Sequence, residues 1–419
     1  MNVERLVAGL DIGSAKTTAV IAEVVGELPR HPEIKVLGVG QARTTGLRRG
    51  LVSDIEETML AIRKAMGDAE RMSGVKVERC YVGIAGEHVS AMTSKGIVAV
   101  AGSEITRADV DRVNSVARAQ SHPVDRELLH AIPQEYTVDK NNGIRDPIGM
   151  VGTRLETEMY LVTIGSSPAV NLRKAVERAG YVTQEMVVEP LASSLAVLSE
   201  DEKEMGVALV GMGAGSTDLA VFHEAKIRHL ATIPYGGNNV TSDIVHGLGV
   251  TQSDAERLKE SHGCAYEPMV DTRDVITLPS TVAQGDRRIP RELLAHIIHQ
   301  RTDEIFDLVM REIDGAGFAG RLGSGIVLTG GPAALPGVPE LAADVFGTGV
   351  RVGIPAEHLS GLTDAVEGPR YATSVGLALY AANRVALGAA APSGKRLQIS
   401  APNVEKWVQR LKVWLQDFF

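Results

Sequence analysis

The residues of this chain best placed to do chemistry gather around two turns built from small side chains. The first lies in "LVAGLDIGSAKTTAVIAEV", where an apolar strand over residues 6–11 and a β-rich strand over 17–25 flank Gly13, Ser14 and Ala15. The second lies in "VALVGMGAGSTDLAVFHE", where strands over 207–212 and 218–223 flank Gly213, Ala214, Gly215 and Ser216, with Thr217 leading into the second strand. Turns of this kind let successive backbone N–H groups converge on an anion, because no large side chain blocks the approach. Two such turns facing one another would clamp a polyphosphate from both sides. Asp11, on the strand entering the first turn, is placed to face a magnesium-bound water, and Lys16 can neutralise phosphate charge. Asp218, just past the second turn, is the other candidate for the metal shell.

These turns need strands to hold them, and the strands read as one unit used twice. Gly13 aligns with Gly213, and Ala19-Val20 with Ala220-Val221, the mark of a duplicated α/β fold. A third glycine-rich stretch, "SGIVLTGGPAALPGVPELAADVFG", reads as a buried strand over 326–329, the pair Gly330-Gly331 and a helix over 336–346. A strand entering such a turn brings backbone close to a flat ligand such as adenine. Two helices complete the set. "EPLASSLAVL" (189–198) carries an acid, Glu189, at its head, the candidate catalytic residue. "SDAERLKESHG" (253–263) offers Glu256 and Lys259 at i, i+3 on one face.

Composition narrows the classes. At 419 residues the chain is too long for one ordinary core, so two or more domains are expected. A net charge of −9 argues against a protein that coats nucleic acid. Cys80 and Cys264 stand far apart without a partner motif, which fits a reducing compartment, and His262 with Cys264 is too small a set for zinc. The opening "MNVERLVAGLDIG" has no long apolar segment, so no signal peptide is expected, and no run of eighteen apolar residues exists to span a membrane.

Two segments lie outside the paired units. Residues 84–164 read as an inserted α+β module, with strand-like 88–100, 129–139 and 154–164 around a helix over 106–120. Thr106 is its N-cap, Asp109 its N3 residue, and Val110, Val113, Val116 and Ala117 its apolar face. The other segment is "VEKWVQRLKVWLQDFF" (404–419), which holds both tryptophans of the chain. On a helix, Val404, Trp407, Val408, Leu411, Trp414, Leu415 and Phe418 share one face. Such a helix is about 24 Å long and too charged to cross a bilayer, but it suits the interface, where tryptophan is at home. From Lys395 onward there are five basic and two acidic residues, a local excess that fits an anionic lipid surface. A small-residue and proline linker, 387–403, precedes it.

The order of these motifs resembles the actin, sugar-kinase and Hsp70 superfamily, and the details resemble the FtsA family of bacterial cell-division proteins. The matching stretches are "GLDIGSAKT" (9–17), "IPQEY" (132–136), "EPLASS" (189–194), "GGNNVTSDI" (236–244), "SDAERLK" (253–259), "SHGCA" (261–265), "GIVLTGG" (325–331), "LTDAVEGPRYATSVGLALY" (362–380) and the amphipathic end. The resemblance implies an α/β, actin-like, duplicated two-domain nucleotide clamp with an inserted α+β subdomain. It divides the chain into 1–83 and 165–205 (subdomain 1A), 84–164 (1C), 206–386 (2A/2B), the linker 387–403 and the membrane helix 404–419. It implies ATP and Mg²⁺ as ligands, filament formation with further copies, a peripheral position on the cytoplasmic membrane face at the division site, and other division proteins docking on the insertion. It also implies binding of the C-terminal tail of FtsZ in a region that includes "RELLAHIIHQRTDEIFDLVMREI" (291–313), where Arg301 and Glu304 match positions tied to that contact. One departure stands out: Gly211 occupies the place where the family usually carries an acid before the second turn. An ATP binder with at most weak hydrolysis is therefore expected. A small-molecule kinase would not need the tail, and an Hsp70-like chaperone would need more chain after the clamp.

The tail reading gives the first prediction. Trp407→Glu puts a charge amid the apolar face and removes a side chain contributing roughly 1.5–3 kcal/mol at full burial, less in an interface. In co-sedimentation with anionic liposomes the variant is expected in the supernatant with ATP binding intact; full retention on lipid would contradict an anchoring role.

Overall fold

The computed structural model describes residues 5–27, 31–119, 123–278 and 287–390. The helix expected over 404–419 lies outside the described residues, as does 391–403 of the expected linker; residues 387–390 continue the helix Ala372–Ala390 rather than the linker, Leu387, Ala389 and Ala390 favouring helix despite Gly388.

Two sheets repeat one topology. In the first, the strand order is Val182–Val188, Arg79–Ile84, Leu6–Ile12, Lys16–Glu27, His31–Arg43 and Leu359–Gly361. In the second it is Val350–Val352, Ile326–Thr329, Val207–Met212, Thr217–His223 and Lys226–Ile233. Each has an antiparallel three-stranded meander whose first strand then pairs in parallel with a strand returning through helices. Both hairpins place the same register on matching residues. Asp11 pairs with Thr18 and Ile12 with Thr17, while Gly211 pairs with Asp218 and Met212 with Thr217. The offset is two hundred throughout, so Ala19-Val20 matches Leu219-Ala220 rather than Ala220-Val221. The expected alignment slips by one, which in a strand exchanges the two faces.

The sheets are joined by helices. Glu189–Val197 packs on strands Val207–Met212 and Thr217–His223, and Ala372–Ala390 packs on Leu6–Ile12 and Lys16–Glu27. The two helices cross where a Cβ on Gly376 would lie 1.9 Å from the Ala192 carbonyl oxygen. Beneath the second helix, a Cβ on Gly9 would lie 2.5 Å from the Ser374 carbonyl oxygen. Only glycine permits both approaches. One buried core runs through this junction, from Val20 and Val36 to Leu209, Val327 and Val375. The span 206–386 thus contains a strand, Leu359–Gly361, and a helix that sit with the first sheet.

The inserted residues form a four-stranded sheet in the order Val89–Ala99, Arg154–Gly165, Arg126–Val138 and Asn141–Ile144, with helix Arg107–Arg118 against it. Thr106 and Asp109 cap that helix reciprocally: the Asp109 amide donates to Thr106 Oγ1 at 3.3 Å and the Thr106 amide to Asp109 Oδ2 at 2.9 Å. Val110, Val113 and Ala117 are buried, but Val116 is 45% exposed. At 3.6 residues per turn it rotates past the edge of the face that the other three share.

The tight helix crossing is testable. Gly376→Ala should destabilise the protein by about 1–3 kcal/mol, the usual cost of overpacking. Gly67→Ala, inside helix Ile55–Ser73 with no atom within 4 Å of the added Cβ, should stabilise it by about 0.4–1 kcal/mol. Urea midpoints moving in the same direction for both would contradict this geometry.

Candidate functional site

A cleft of about 590 Å³ lies between the two sheets, with both turns on its wall. In the first turn the Gly13 amide donates to the Lys16 carbonyl at 3.1 Å; in the second the Gly213 amide donates to the Ser216 carbonyl at 2.9 Å. The turns face one another so closely that a Cβ on Gly215 would lie 2.7 Å from Ser14 Oγ. The second turn is braced from behind by helix Gly237–Leu248, whose Gly237 and Asn238 amides donate to the Gly213 and Ala214 carbonyls at 3.0 and 2.8 Å.

The cleft gathers Asp11, Gly13, Ser14, Ala15, Lys16, Gly213, Ala214, Gly215, Ser216, Asp218, Glu189, Glu256, Lys259, Gly330 and Gly331. Thr217 is the exception. It is fully buried and its hydroxyl donates to the Tyr235 carbonyl at 2.9 Å, because alternation along the strand points it away from the face that Asp218 shares with the cleft. Gly330 has φ 88°, and a Cβ there would lie 2.2 Å from the Met212 carbonyl oxygen, so the Gly-Gly turn runs against the strand entering the second turn. Glu256 and Lys259 do share a face. Lys259 Nζ donates to Glu256 Oε2 at 2.7 Å, to Thr241 Oγ1 at 2.7 Å and to the Gly237 carbonyl at 3.1 Å. Sequence reasoning passed over Gln41, Gly236, Gly237, Asn238, Thr302, Arg370 and Thr373, which also line the cleft. Gly236–Asn238, Arg370 and Thr373 fall within the stretches 236–244 and 362–380 that carry the family resemblance, though none was singled out as a site residue; Gln41 reaches the cleft from a distant strand and carries no local mark.

Three carboxyl groups meet in this space. Burial pushes Asp11 up to about 7 and Asp218 up to about 6, the latter eased by a 2.6 Å hydrogen bond from Thr232 Oγ1. Glu189 is raised well above the usual range by burial and then by the charges of Asp11 and Asp218. Gly211 occupies the strand position of Asp11, and Asp218 the position of Thr18. The second hairpin therefore carries its acid one step across the ladder, on the residue paired with Gly211. Among the described residues no set of three His, Cys, Asp or Glu side chains is disposed to enclose a metal ion. The carboxylates are hard oxygen donors suited to magnesium, which commonly keeps its waters and takes its remaining ligands from phosphates.

Arg301 and Glu304 lie on helix Arg291–Gly315, where neighbouring Thr302 and Ile305 line the cleft. Arg301 donates to Asp243 Oδ2 at 2.6 Å and Oδ1 at 3.2 Å, pairs with Glu304, and sits 5.8 Å from the Tyr235 ring centroid. It is a tied side chain rather than a free one.

The fold is actin-like. The PilM–PilN type IV pilus biogenesis complex is similar over 90% of this chain and 98% of that one, at 17% identity and a TM-score of 0.62. MreB5 of Spiroplasma citri, solved with ADP bound, is similar over 93% of this chain and all of its own, at 14% identity and a TM-score of 0.52. The family description "Cell division protein FtsA" matches residues 208–376, and "SHS2 domain inserted in FTSA" matches residues 86–163. The FtsA of Pseudomonas aeruginosa is 38% identical over 99% of this chain and 98% of its own length. That of Escherichia coli strain K12 is 37% identical over 99% of this chain and 98% of its own length. The chain belongs to the FtsA family of cell-division proteins. Among the described residues no helix is long and apolar enough to cross a membrane.

The raised carboxyls set a pH dependence. Asp11 and Asp218 take up protons on folding, from an ordinary 3.8 to about 7 and about 6. Their contribution to stability is full below about pH 4 and is lost as the pH rises through 6 to 7. Without nucleotide, Asp11→Asn should raise the melting temperature more at pH 8 than at pH 5. Equal differences at the two pH values would show that Asp11 is not held protonated by burial.

Proposed function

We propose that this member of the FtsA family is an actin-like ATP-binding protein that assembles on the cytoplasmic face of the membrane at the division site and tethers the FtsZ ring there. The observation that carries the reading is the approach of two small-residue turns across an acid-lined cleft. Backbone amides of Ser14 and Ala15 and of Ala214–Ser216, which the bonds closing the turns leave free, would hold the phosphates from opposite sides, as successive amides do in anion cradles. Lys16 would neutralise phosphate charge, and Asp11 and Asp218 would orient the waters of a magnesium ion. That ion, when bound, shields the charge between the terminal phosphates. The Gly330-Gly331 turn and the Glu256–Lys259 face would border the nucleoside. An MreB5 of the same fold binds ADP in its solved structure, which supports a nucleotide here.

Glu189, kept neutral by its surroundings, would act on the attacking water only once bound cations lower its proton affinity. With Gly211 in place of an acid, turnover is slow, and the nucleotide acts as an assembly switch. Filaments would then present many copies of the tail, 404–419, to anionic lipid, so that each further attachment is intramolecular and avidity rises. The helix carrying Arg301 and Glu304 would receive the FtsZ tail, and the inserted subdomain would recruit later division proteins.

Two substitutions test the cleft. Gly13→Val should weaken magnesium-dependent ATP binding by about tenfold or more, since a branched side chain stands in the phosphate approach; unchanged affinity by equilibrium titration would contradict the clamp. Gly211→Asp meets no steric obstacle, its Cβ having only the Asp218 carbonyl oxygen at 3.7 Å. It should raise ATP hydrolysis by about 10- to 100-fold. A fast wild-type ATPase indifferent to the substitution would contradict the reading of Gly211.

A further inference from the structure

Beyond the Ser14–Gly215 contact lies a second, smaller pocket of about 260 Å³ whose lining has bases but no acid. Its polar lining comes from Ser14, Arg48, Arg49, Asn238 and Asn239, all able to donate hydrogen bonds, and no carboxylate reaches it. Five acids line the neighbouring cleft, counting Glu260. Among the described residues neither Arg48 nor Arg49 forms an ion pair or a side-chain hydrogen bond, whereas Arg301, on the helix bordering the cleft, is paired with Asp243.

The arginines are delivered by a two-residue hairpin. Leu47–Arg48 pairs with Leu51–Val52, and the central residues Arg49 and Gly50 have φ 48° and 77°. That is the backbone of a type I′ turn, which asparagine and glycine adopt at lower cost than arginine. Arginine at the first central position gives up backbone stability and puts a guanidinium at the pocket. The tip is seated firmly: a Cβ on Gly50 would lie 2.1 Å from the Ala85 carbonyl oxygen, and one on Gly215 would lie 3.2 Å from the Arg49 amide nitrogen. The hairpin therefore borders both spaces, with Leu47 and Gly50 on the cleft and Arg48 and Arg49 on the smaller pocket.

We propose that this pocket is a second anion site, large enough for orthophosphate or a similar oxyanion and adjoining the nucleotide cleft across the Ser14–Gly215 contact. Its role rests on the nucleotide reading of the cleft, because a phosphate leaving the turns would meet these arginines next; its binding chemistry does not. Two unpaired guanidinium forks are the protein groups best matched to a tetrahedral oxyanion.

The test uses the full-length chain saturated with magnesium and a non-hydrolysable ATP analogue, dialysed to equilibrium against radiolabelled inorganic phosphate. About one phosphate per chain should bind, sulfate should compete, and Arg48→Ala with Arg49→Gly should weaken binding by about tenfold or more. Analogue affinity should change by less than about twofold, since neither arginine lines the cleft. Arg49→Gly alone keeps the test valid if the double variant unfolds, because glycine meets the left-handed backbone. Phosphate binding indifferent to the arginines would overturn the proposal. So would loss of the analogue together with phosphate, which would assign the arginines to the nucleotide's own terminal phosphate. If the wild type bound no analogue, the clamp reading would fall, while arginine-dependent phosphate binding measured without analogue would still support the second site.

Discussion

The near-contact of Ser14 with Gly215 is the constraint on which the rest of the molecule depends. Two turns some two hundred residues apart can meet at that distance only if the sheets bearing them stand head to head, and the sheets do so because each half lends a helix to the junction. Those helices cross at Gly376 over Ala192, where any side chain would force the halves apart. A small shift at the crossing is thus a shift at the turns. The duplication explains the economy of the arrangement: one meander, used twice, yields two turns with the same hydrogen bond and the same ladder register.

Electrostatics gives the empty and filled clefts different energies. Asp11, Asp218 and Glu189 are buried together, so ionising all three without a cation is unfavourable, and each is pushed toward its neutral form. On the proposed reading, a polyphosphate carrying magnesium would supply the missing positive charge close to the carboxylates and let them ionise. Nucleotide binding would then be linked to proton release.

Much of this was legible in the sequence because its signals are local. The strand over 326–329, the helix head at Glu189, the capping box at Thr106 and Asp109, and both turns stand where residue type and spacing put them. The errors have equally local causes. An Ala-Val pair occurs in both second strands, and matching those look-alikes shifted the alignment by one; ladder register, a tertiary property, corrects it. Val116 and Thr217 were misplaced by about one position of helical rotation and one strand alternation. Gln41 was missed since only folding brings it to the cleft. The hairpin at Arg49 was missed because an arginine in a type I′ turn has no sequence signature.

The facing turns can be tested by joining them. Cys80 and Cys264 are both buried and leave the surface chemistry free. A Cβ on Gly215 would lie 3.1 Å from that of Ser14, so parting the turns by about half an ångström brings a Ser14→Cys, Gly215→Cys double variant to the separation of a disulfide. The account predicts that mild oxidation forms this bond, that ATP binding is lost in the oxidised protein, and that reduction restores it. A bond that forms without changing ATP affinity would show that the phosphates do not lie between the turns.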